Sequence, residues 1–351
     1  MSIDLKKLES NFNYLKSKIK PVTKIIAVVK AFAYGHGDVE ISKKLEKLGV
    51  YALWVTDFEE GVVLRKSGIN SKIIVANPGV KSYAKIIKHK LDVVIYNSRL
   101  LDLYCSKNNM VNVHIKFNTG MNRYGFDETE LDTIVSKLKT NTHLNVLSIC
   151  SHLASADKID NKEFTQNQLL KFQKIALVFE RHVKQSILKH ILNSHGVINF
   201  PKYQFDIVRL GIGLYGSTKD KQLLPISNLK SVITQNRTIK PGETIGYGPS
   251  FVATKEMNIS IVPVGYADGL NRKLSNGVGR VIINGEICSI IGKISMGNFA
   301  VDTTDIIVSE GDIVEIFGEN LSVLSIAKSI NTIPYEIYST LNRRLKRIYS
   351  D

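Results

Sequence analysis

Short apolar runs recur through the first two thirds of the chain, and segments with apolar residues at helical spacing separate them. Runs rich in β-branched residues are typical of strands that are buried on both faces of a parallel sheet. We predict eight such strands, at residues 25–29, 51–56, 72–76, 91–96, 111–117, 144–150, 190–192 and 207–212. Strands that alternate with helices predict parallel βαβ units, and eight units in about 220 residues predict a closed (β/α)8 barrel.

The helical segments fit this architecture. The first is an amphipathic helix near the N-terminus, where apolar side chains recur at positions 5, 8, 12, 15 and 19. Further helices are predicted at residues 41–48, 58–67, 83–89, 131–138 and 163–188. An open doubly wound sheet shares the same alternation. Its dinucleotide-binding version is disfavoured because no Gly-x-Gly-x-x-Gly motif follows the first strand.

The pattern changes near residue 229, where the apolar runs become short and turn residues become frequent. Asn284-Gly285 stands between two apolar runs and predicts a β-hairpin. Alternation of apolar and polar residues predicts a strand at 313–317, and two short helices are predicted at 326–330 and 335–341. We therefore predict a barrel domain at residues 1–228 and a mostly β domain at residues 229–351.

The composition is that of a folded protein, since 44% of the 351 residues are hydrophobic. Lys and Arg residues number 47 against 32 Asp and Glu, which gives a formal net charge of +15. A basic chain can bind nucleic acid. Here the lysines are dispersed, and the densest basic cluster, at residues 343–347, lies at the extreme C-terminus. We expect no nucleic-acid partner, and nucleic-acid binding is the least supported alternative.

Two further features of the sequence bear on the cellular compartment of the protein. No window of about 18 apolar residues is present, and the N-terminus lacks the apolar core of a signal peptide, so we expect no membrane association. Cys105, Cys150 and Cys288 are odd in number and lack metal-ligand spacing, which favours a reducing compartment without disulfides or a bound metal. These features predict a cytoplasmic location.

The first predicted strand runs directly into Lys30. A lysine in this position is either a solvated strand tip or an amine held in an enclosed, apolar place. The difference matters because a desolvated lysine loses its proton more easily and becomes a nucleophile for carbonyl groups. The strand alone leaves both interpretations open.

The chemistry of a parallel barrel lies at the carboxyl ends of its strands, and polar residues follow several predicted strands here. They include Lys116 and Arg123 after the fifth strand, His152 after the sixth, Ser194 after the seventh, and Arg209 with Gly211, Ile212 and Gly213 at the eighth. Glycines let backbone N–H groups approach a phosphate closely, and barrels often bind phosphate after strands seven and eight. His152 alone could equally be a buried histidine with its hydrogen bonds satisfied. Taken together, the set suits an aldehyde cofactor with a phosphate tail.

Five motifs give a resemblance that covers nearly the whole chain. They are Val-Val-Lys-Ala-Phe-Ala-Tyr-Gly-His-Gly at 28–37, Lys-Phe-Asn-Thr-Gly-Met-Asn-Arg at 116–123, Ser-His-Leu-Ala-Ser-Ala-Asp at 151–157, Arg-Leu-Gly-Ile-Gly-Leu-Tyr-Gly at 209–216, and Gly-Tyr-Ala-Asp-Gly at 265–269. With these motifs in this order, the chain resembles the alanine racemases. That family consists of pyridoxal 5'-phosphate enzymes built from a barrel and a β domain.

The resemblance implies a role for each matching residue. Lys30 would hold the cofactor as a Schiff base and act as one catalytic base. Tyr266 would be the second base, contributed by the other protomer of a homodimer. The cofactor phosphate would be bound by Tyr34, Ser194, Gly211 and Ile212, and Arg209 would contact the pyridine nitrogen. His152 would form hydrogen bonds with Arg209 and Tyr266. Arg123 and Met296 would contact the substrate. Lys116 would be carbamylated and would orient Arg123, although a plain lysine paired with a carboxylate is the alternative.

The implied activity is the interconversion of L-alanine and D-alanine by two bases, which supplies D-alanine for peptidoglycan. Racemisation requires removal of the Cα proton from one face and delivery to the other, so two bases are expected. The alternatives are a racemase of broader or shifted specificity, for example for serine, a decarboxylase of the same architecture, and a pyridoxal-phosphate-binding protein without turnover. The decarboxylases tend to be longer and lack the pairing of Arg209 with the Tyr266 motif. The non-catalytic proteins usually consist of the barrel alone, so the β domain with Tyr266 argues against that alternative.

The chain departs from the family motifs at four positions. Phe32 and Asn118 replace a polar residue and an aspartate, Gly297 stands where a carboxylate is usual, and Arg343 stands where a tyrosine often occurs. These changes leave Lys30 and Tyr266 intact. They bear on substrate range and on the polarity of the site entrance.

Overall fold

A computed structural model describes residues 1–183 and 186–351. The chain divides into two compact units. The barrel unit contains Glu9–Ala33 and Asp38–Leu214, and the β unit contains Met1–Leu8, Tyr34–Gly37 and Tyr215–Asp351. The domain boundary that we predict from the sequence between residues 228 and 229 stays a prediction. No described helix is both long enough and apolar enough to cross a membrane.

The N-terminus forms strand β1 (Ser2–Asp4) and helix α1 (Leu5–Ser17). The five apolar residues that predict this helix, at positions 5 to 19, are all at most 9% exposed. The hydrophobic spacing therefore identified a real buried face. The sequence did not predict β1, a strand of three residues that pairs with segments far along the chain.

The structure has a strand for each of the eight predicted barrel strands, but the seventh, predicted at 190–192, ends at His190 instead of beginning there. The eight strands are β2 (Lys24–Val28), β3 (Ala52–Val55), β4 (Lys72–Val75), β5 (Asp92–Ile95), β6 (Val111–Lys116), β7 (Leu144–Cys150), β8 (Leu188–His190) and β9 (Ile207–Leu210). Their order in the sheet is β8-β7-β6-β5-β4-β3-β2-β9, and every neighbouring pair is parallel. Hydrogen bonds from Arg209 N to Leu192 O (2.9 Å) and from Asp206 N to Lys189 O (3.1 Å) bring β9 and β8 together. The predicted (β/α)8 barrel is confirmed as a nearly closed barrel.

Helices connect these strands. They are α2 (Asp38–Lys47), α3 (Phe58–Lys66), α4 (Tyr83–Lys88), α5 (Ser98–Cys105), α6 (Leu131–Thr140), α7 (Lys162–His182) and α8 (Ser194–Asn199). Short 3-10 turns occur at Glu128–Glu130, Ile159–Asn161 and Pro201–Tyr203. The predicted helix at 163–188 was too long, because Leu188 pairs with Ser148 in the sheet. Residues 184 and 185 of that prediction lie outside the described residues.

Part of the barrel core is a cluster of apolar side chains. The cluster consists of Ile26, Ala52, Trp54, Ile74, Val94, Cys150 and Ile207, each at most 9% exposed. Side chains alternate between the two faces of a strand, so each inward-pointing apolar residue is followed by one that packs against the helices. The buried runs identified from the sequence are thus explained by parallel strands covered on both faces.

Directly after β2 the backbone makes one left-handed turn. Ala31, Phe32, Ala33 and Tyr34 all have φ between 49° and 57°. The left-handed conformation costs roughly 1–2 kcal/mol per residue for an L-amino acid other than glycine, with asparagine and aspartate tolerating it best. Four consecutive residues in this conformation are strained backbone, and such strain persists only where surrounding structure holds it.

The left-handed turn gives Phe32 a physical consequence. We expect Phe32→Asn to be more stable than the matched amide Phe32→Gln by about 0.5–1 kcal/mol, because asparagine hydrogen-bonds locally and tolerates positive φ. Both variants lose the same half-buried ring, so their difference isolates the backbone contribution. Urea unfolding of the two variants measures it. Equal free energies of unfolding would contradict the expectation.

The β unit contains one mixed sheet. Its further strands are β10 (Ser227–Val232), β11 (Gln235–Ile239), β12 (Met257–Val262), β13 (Arg280–Ile283), β14 (Glu286–Ile291), β15 (Phe299–Asp302), β16 (Ile313–Phe317) and β17 (Ile348–Ser350). The order is β11-β12-β15-β14-β13-β16-β10-β1-β17. Helices α9 (Val323–Ser329) and α10 (Pro334–Ser339) and the 3-10 turns Tyr266–Asp268 and Arg272–Leu274 complete the unit.

The sequence predictions for this region are confirmed. β13 and β14 pair antiparallel around Asn284-Gly285, where φ is 51° and 88°. Positive φ at both central residues is what a two-residue hairpin of this kind requires. The strand predicted at 313–317 coincides with β16, and the mostly β architecture is present.

Candidate active site

Four cationic side chains lie near one another in the barrel unit. Lys30 follows β2, Lys116 ends β6, Arg123 lies in the loop after β6, and Arg209 lies on β9. Arg123 lowers the pKa of Lys30, and Arg209, Arg123 and Lys30 all lower the pKa of Lys116. The structure thus brings together the strand-end cations that the sequence predicted.

Lys30 has a lowered pKa chiefly because it is largely buried, and secondarily because Arg123 is near. Glu60, on α3, acts in the opposite direction. Its carboxylate accepts hydrogen bonds from the backbone N–H of Ala31 (2.6 Å) and Thr56 (2.7 Å). Glu60 therefore holds the first residue of the left-handed turn directly after Lys30. The enclosed interpretation of Lys30 is the one that the structure supports.

Arg209 is 4% exposed, and its two terminal nitrogens donate five hydrogen bonds. Three acceptors are backbone carbonyl oxygens, those of His190 (3.3 Å), Ser151 (2.5 Å) and Ile191 (3.3 Å). The other two are ring nitrogens, Nδ1 of His190 and Nδ1 of His152 (3.1 Å). The guanidinium also lies over the ring of Trp54, 5.4 Å from its centroid. None of these acceptors is a carboxylate, so Arg209 keeps its charge without an ion-pair partner among them.

His152 accepts from Arg209 through Nδ1, and the nearby cations disfavour its protonation. Its pKa lies well below the usual value, first because of burial and then because of Arg209, Lys116 and Arg123. A guanidinium can only donate, so the neutral ring of His152 carries its proton on Nε2. The predicted link between His152 and Arg209 is present in the structure.

Lys116 has its pKa lowered to about 8, mainly by burial. Its Nζ lies 5.6 Å from the centroid of the Tyr124 ring. Lys116, Arg123, Tyr124 and His152 line one small pocket. Within the described part of the chain, no carboxylate lies at ion-pair distance from Lys116.

Asn118, one of the departures from the family motif, shapes the loop beside this pocket. Its Oδ1 accepts from the backbone N–H of Gly120 (3.1 Å) and Asn122 (3.1 Å). Its Nδ2 donates to Asn122 Oδ1 (2.9 Å) and to Asp127 Oδ1 (3.1 Å). An aspartate at 118 would lose this donor and would face the carboxylate of Asp127. The asparagine therefore fits its surroundings.

Ser194 and a glycine-rich turn face each other after β8 and β9. Ser194 Oγ accepts hydrogen bonds from the backbone N–H of Gly211 (2.9 Å) and Gly213 (3.3 Å). A Cβ at Gly213 would lie 3.0 Å from Leu15 Cδ1 and 3.1 Å from Ser194 Cβ, so a larger residue would require these neighbours to shift. Ile212, between the glycines, is 2% exposed. Converging N–H groups and a serine hydroxyl are the donor set that a phosphate takes.

Three predicted site residues belong to the β unit. Tyr34 is buried, and its ring lies 4.8 Å from that of Tyr215, measured between centroids. Burial raises the pKa of Tyr34 above its usual value, so this phenol is a neutral hydrogen-bond donor. Tyr266 is 43% exposed and Met296 is 62% exposed, which leaves both side chains available to another molecule.

The segment around Tyr266 is held by its backbone. The N–H of Tyr266 donates to Ser295 O (3.1 Å), and the N–H of Ala267 donates to Met296 O (3.0 Å). Asp268 forms an ion pair with Arg344 (3.0 Å). Tyr266 and Met296 are therefore neighbours, as the predicted substrate contacts require. The guanidinium carbon of Arg272 lies 5.8 Å from the centroid of the Tyr266 ring.

The barrel residues fit an anionic aldehyde cofactor. The pKa of Lys30 is lowered although Glu60 lies near it, the pKa of Lys116 is lowered by burial and by three neighbouring cations, and two N–H groups converge on Ser194. A phosphate and a carboxylate are the groups that would balance this charge. No cluster of three or more His, Cys, Asp or Glu side chains that could hold a metal occurs among residues 1–183 and 186–351.

Comparison with known proteins agrees with the motifs. Residues 3–219 match the family described as "Alanine racemase, N-terminal domain", and residues 226–349 match "Alanine racemase, C-terminal domain". The chain belongs to the alanine racemase family. It is therefore an enzyme of an amino-acid racemase family, and the resemblance stated from the sequence is confirmed.

Individual relatives show the range of this family. An alanine racemase of Syntrophobacter fumaroxidans is 36% identical over 98% of this chain and 95% of its own length. An amino-acid racemase of Enterococcus faecalis is also 36% identical over 99% of this chain, which spans 51% of that relative's length. A crystal structure of alanine racemase from Bartonella henselae, with covalently bound pyridoxal phosphate, has a TM-score of 0.90 and 29% identity, and the match covers 99% of this chain and 98% of that one.

Sequence reasoning missed two side chains of this site. Glu60 stands in the first turn of α3, where an acidic residue is common for helix stability alone, so nothing in the sequence singled it out. His190 ends β8 and accepts from Arg209. The sequence predicts a strand at 190–192, which places His190 at its start, so its position at the carboxyl end emerged only in the structure.

Proposed function

We propose that this chain interconverts L-alanine and D-alanine with pyridoxal 5'-phosphate, and that the D-alanine serves peptidoglycan synthesis. The observation that carries the proposal is Arg209, a buried guanidinium on β9 whose acceptors are all neutral. It lies near Lys116, which in turn lies near Lys30, and the pKa values of both lysines are lowered. Family membership supports the same activity.

Lys30 would hold the cofactor covalently, and Tyr34, Ser194, Gly211 and Ile212 would hold its phosphate. When bound, pyridoxal 5'-phosphate withdraws electrons from the substrate Cα and so acidifies its proton. Arg209 would face the pyridine nitrogen. A guanidinium does not release its proton, so this residue would limit electron withdrawal into the ring and favour racemisation over transamination.

The protons would be handled by two residues on opposite faces of the substrate Cα. Nζ of Lys30 has a lowered pKa, which suits a base near neutral pH. A phenol is a weak acid, so a tyrosine needs cationic or donor neighbours to act as a base near neutral pH. His152, with its proton on Nε2, is the proposed donor to Tyr266. Arg123 and the Met296 backbone would hold the substrate.

We further propose that two copies of the chain form a homodimer in which Tyr266 acts on the site of the partner. The exposure of Tyr266 and Met296 supports this arrangement, because both are available to a second chain. The partner would then complete each site with its second base.

The activity is tested by a chiral assay over a panel of amino acids with the purified protein and added pyridoxal 5'-phosphate. We expect alanine of either hand to reach an equal mixture and the other amino acids to react far more slowly. If the protein holds the cofactor but racemises no amino acid of the panel, the proposal is overturned.

A racemase of broader specificity is the second candidate. The relative described as an amino-acid racemase supports it. A Cβ at Gly297 would meet nothing within 4 Å, so the position next to Met296 is open. Serine turnover comparable to alanine turnover in the same panel would favour this candidate. We then expect Gly297→Asp to reduce serine turnover more than alanine turnover.

We expect Lys116 to be carbamylated. Its pKa of about 8 means that the neutral amine, which reacts with CO2, becomes the major form above that pH. The carbamate would replace a cation by an anion beside Arg123 and Arg209. With carbon-13 bicarbonate, a carbamate signal should grow as the pH rises through about 8 and should be absent in Lys116→Met. A signal that survives in Lys116→Met would assign the carbamate to another amine.

A further inference from the structure

A line of buried polar side chains crosses the interior of the barrel unit and ends at Arg209. It begins at Asp92, the first residue of β5, and continues through His114 on β6, Ser148 on β7 and His190 at the end of β8. Asp92 is 5% exposed and the other three are at most 1% exposed. The register of the sheet pairs His114 with Ser148. Because the strands are parallel and in register, these side chains point into the same interior.

The distances make this line continuous at its centre. Ser148 Oγ lies 2.6 Å from His114 Nδ1 and 2.9 Å from His190 Nε2. His190 Nδ1 accepts from Arg209 Nη1. At the far end, His114 Nε2 lies 3.8 Å from Asp92 Oδ2, and Asp92 Oδ1 accepts from Asn112 Nδ2 (2.9 Å).

The donors and acceptors along this line follow from the position of each proton. Arg209 can only donate, so Nδ1 of His190 is the acceptor. The pKa of His190 lies well below its usual value, first because of burial and then because of Arg209, His114 and Lys116, so its ring is neutral with the proton on Nε2. That N–H donates to Ser148 Oγ. The proton of the Ser148 hydroxyl is then available to His114 Nδ1, 2.6 Å away. His114 Nε2 lies on the side of the Asp92 carboxylate, 3.8 Å from Oδ2 and beyond hydrogen-bond distance.

We propose that Ser148 and His114 are positioning residues that hold His190 in its Nε2–H tautomer and thereby fix the guanidinium of Arg209. The inference deepens the proposed function and rests on it, because Arg209 is the residue assigned to the cofactor ring. In the other tautomer, an N–H of His190 would point at an N–H of Arg209. Arg209 therefore disfavours that tautomer from one side of the ring. On the other side, the hydroxyl of Ser148 accepts from Nε2–H and so satisfies the favoured tautomer.

The first test needs no variant. Nitrogen-15 labelling of the histidines and two-bond nitrogen–proton correlation show which ring nitrogen carries the proton. In wild-type protein, with and without pyridoxal 5'-phosphate, we expect His190 as the neutral Nε2–H tautomer. Detection of His190 with its proton on Nδ1 would overturn the inference.

The second test removes one oxygen atom. Ser148→Ala should give a mixture of His190 tautomers and lower kcat about tenfold, since a buried donor loses its acceptor. The matched control is Ser42→Ala on α2, because Ser42 is also 0% exposed and its hydroxyl has no hydrogen-bond partner among the described residues. The control should change neither the tautomer nor kcat. An unchanged His190 tautomer in folded Ser148→Ala would contradict the inference.

The two hypotheses fail in different ways. If the wild type binds no cofactor and racemises no amino acid, the proposed function fails, while the histidine tautomers in the cofactor-free protein still decide whether the line of hydrogen bonds has this direction. If the enzyme racemises alanine and His190 is in the Nδ1–H form, the positioning inference fails and the proposed function stands.

Discussion

Lys30→Ala is expected to abolish the covalent attachment of pyridoxal 5'-phosphate and to lower kcat for alanine by at least about a thousandfold. The loss is large because one change removes both the amine that holds the cofactor and the base on one face of the substrate Cα, and proton transfer alone contributes about 100- to 10,000-fold. The wild type should be yellow. After reduction with borohydride and proteolysis, its cofactor should be found on the peptide that contains Lys30.

The fold should survive this change. Burial and Arg123 lower the pKa of Lys30, so the folded state disfavours the protonated amine. Removing this amine should therefore not reduce the free energy of unfolding much. Lys24→Ala is the matched control, because Lys24 is the exposed first residue of the same strand, β2. The control should keep both colour and activity. Covalently bound cofactor in Lys30→Ala would assign the attachment to another lysine.

Tyr266→Phe is expected to lower the racemisation rate by about 100- to 10,000-fold, the usual contribution of one general base. The change removes a single oxygen atom from a side chain that is 43% exposed, so stability should hardly change. In D2O, exchange of the Cα proton of L-alanine should be lost. Exchange from D-alanine, which depends on Lys30, should persist. Undiminished exchange from L-alanine would remove Tyr266 from its proposed role.

Mixing the two inactive variants tests the position of Tyr266. If Tyr266 acts on the partner's site, a dimer with one Lys30→Ala chain and one Tyr266→Phe chain contains one intact site and one doubly defective site. Random exchange of subunits makes half of the dimers mixed, so about a quarter of the wild-type activity should return. If Tyr266 acts within its own chain, no site in the mixture has both bases and no activity should return.

The fold was predictable because its pattern is local. Each barrel strand is a short apolar run, and the hairpin at Asn284-Gly285 depends on two adjacent residues that adopt positive φ. The prediction for 163–188 was wrong at its end for the opposite reason. Leu188 enters the sheet through its pairing with Ser148, forty residues earlier, and helical spacing within the segment contains no information about that contact.

The candidate site was predictable in part. Lys30, Lys116, His152 and Arg209 stand at or near the carboxyl ends of strands, where barrel chemistry is expected. Their mutual influence was not predictable. Burial, together with cations contributed by other strands, lowers the pKa of Lys116 to about 8. The same causes keep His152 neutral, with its proton on Nε2.

The sequence by itself determined the alternation of strands and helices, the family motifs and the two residues proposed as bases, because each is contained in a few neighbouring positions. Only the tertiary structure decided how these residues are held. Glu60 reaches the N–H of Ala31 from a different helix, 29 positions away. His114, Ser148 and His190 connect to Arg209 through hydrogen bonds from three other strands. Hydrogen bonds of this kind depend on strand register and on burial away from water, and neither exists before the barrel has closed.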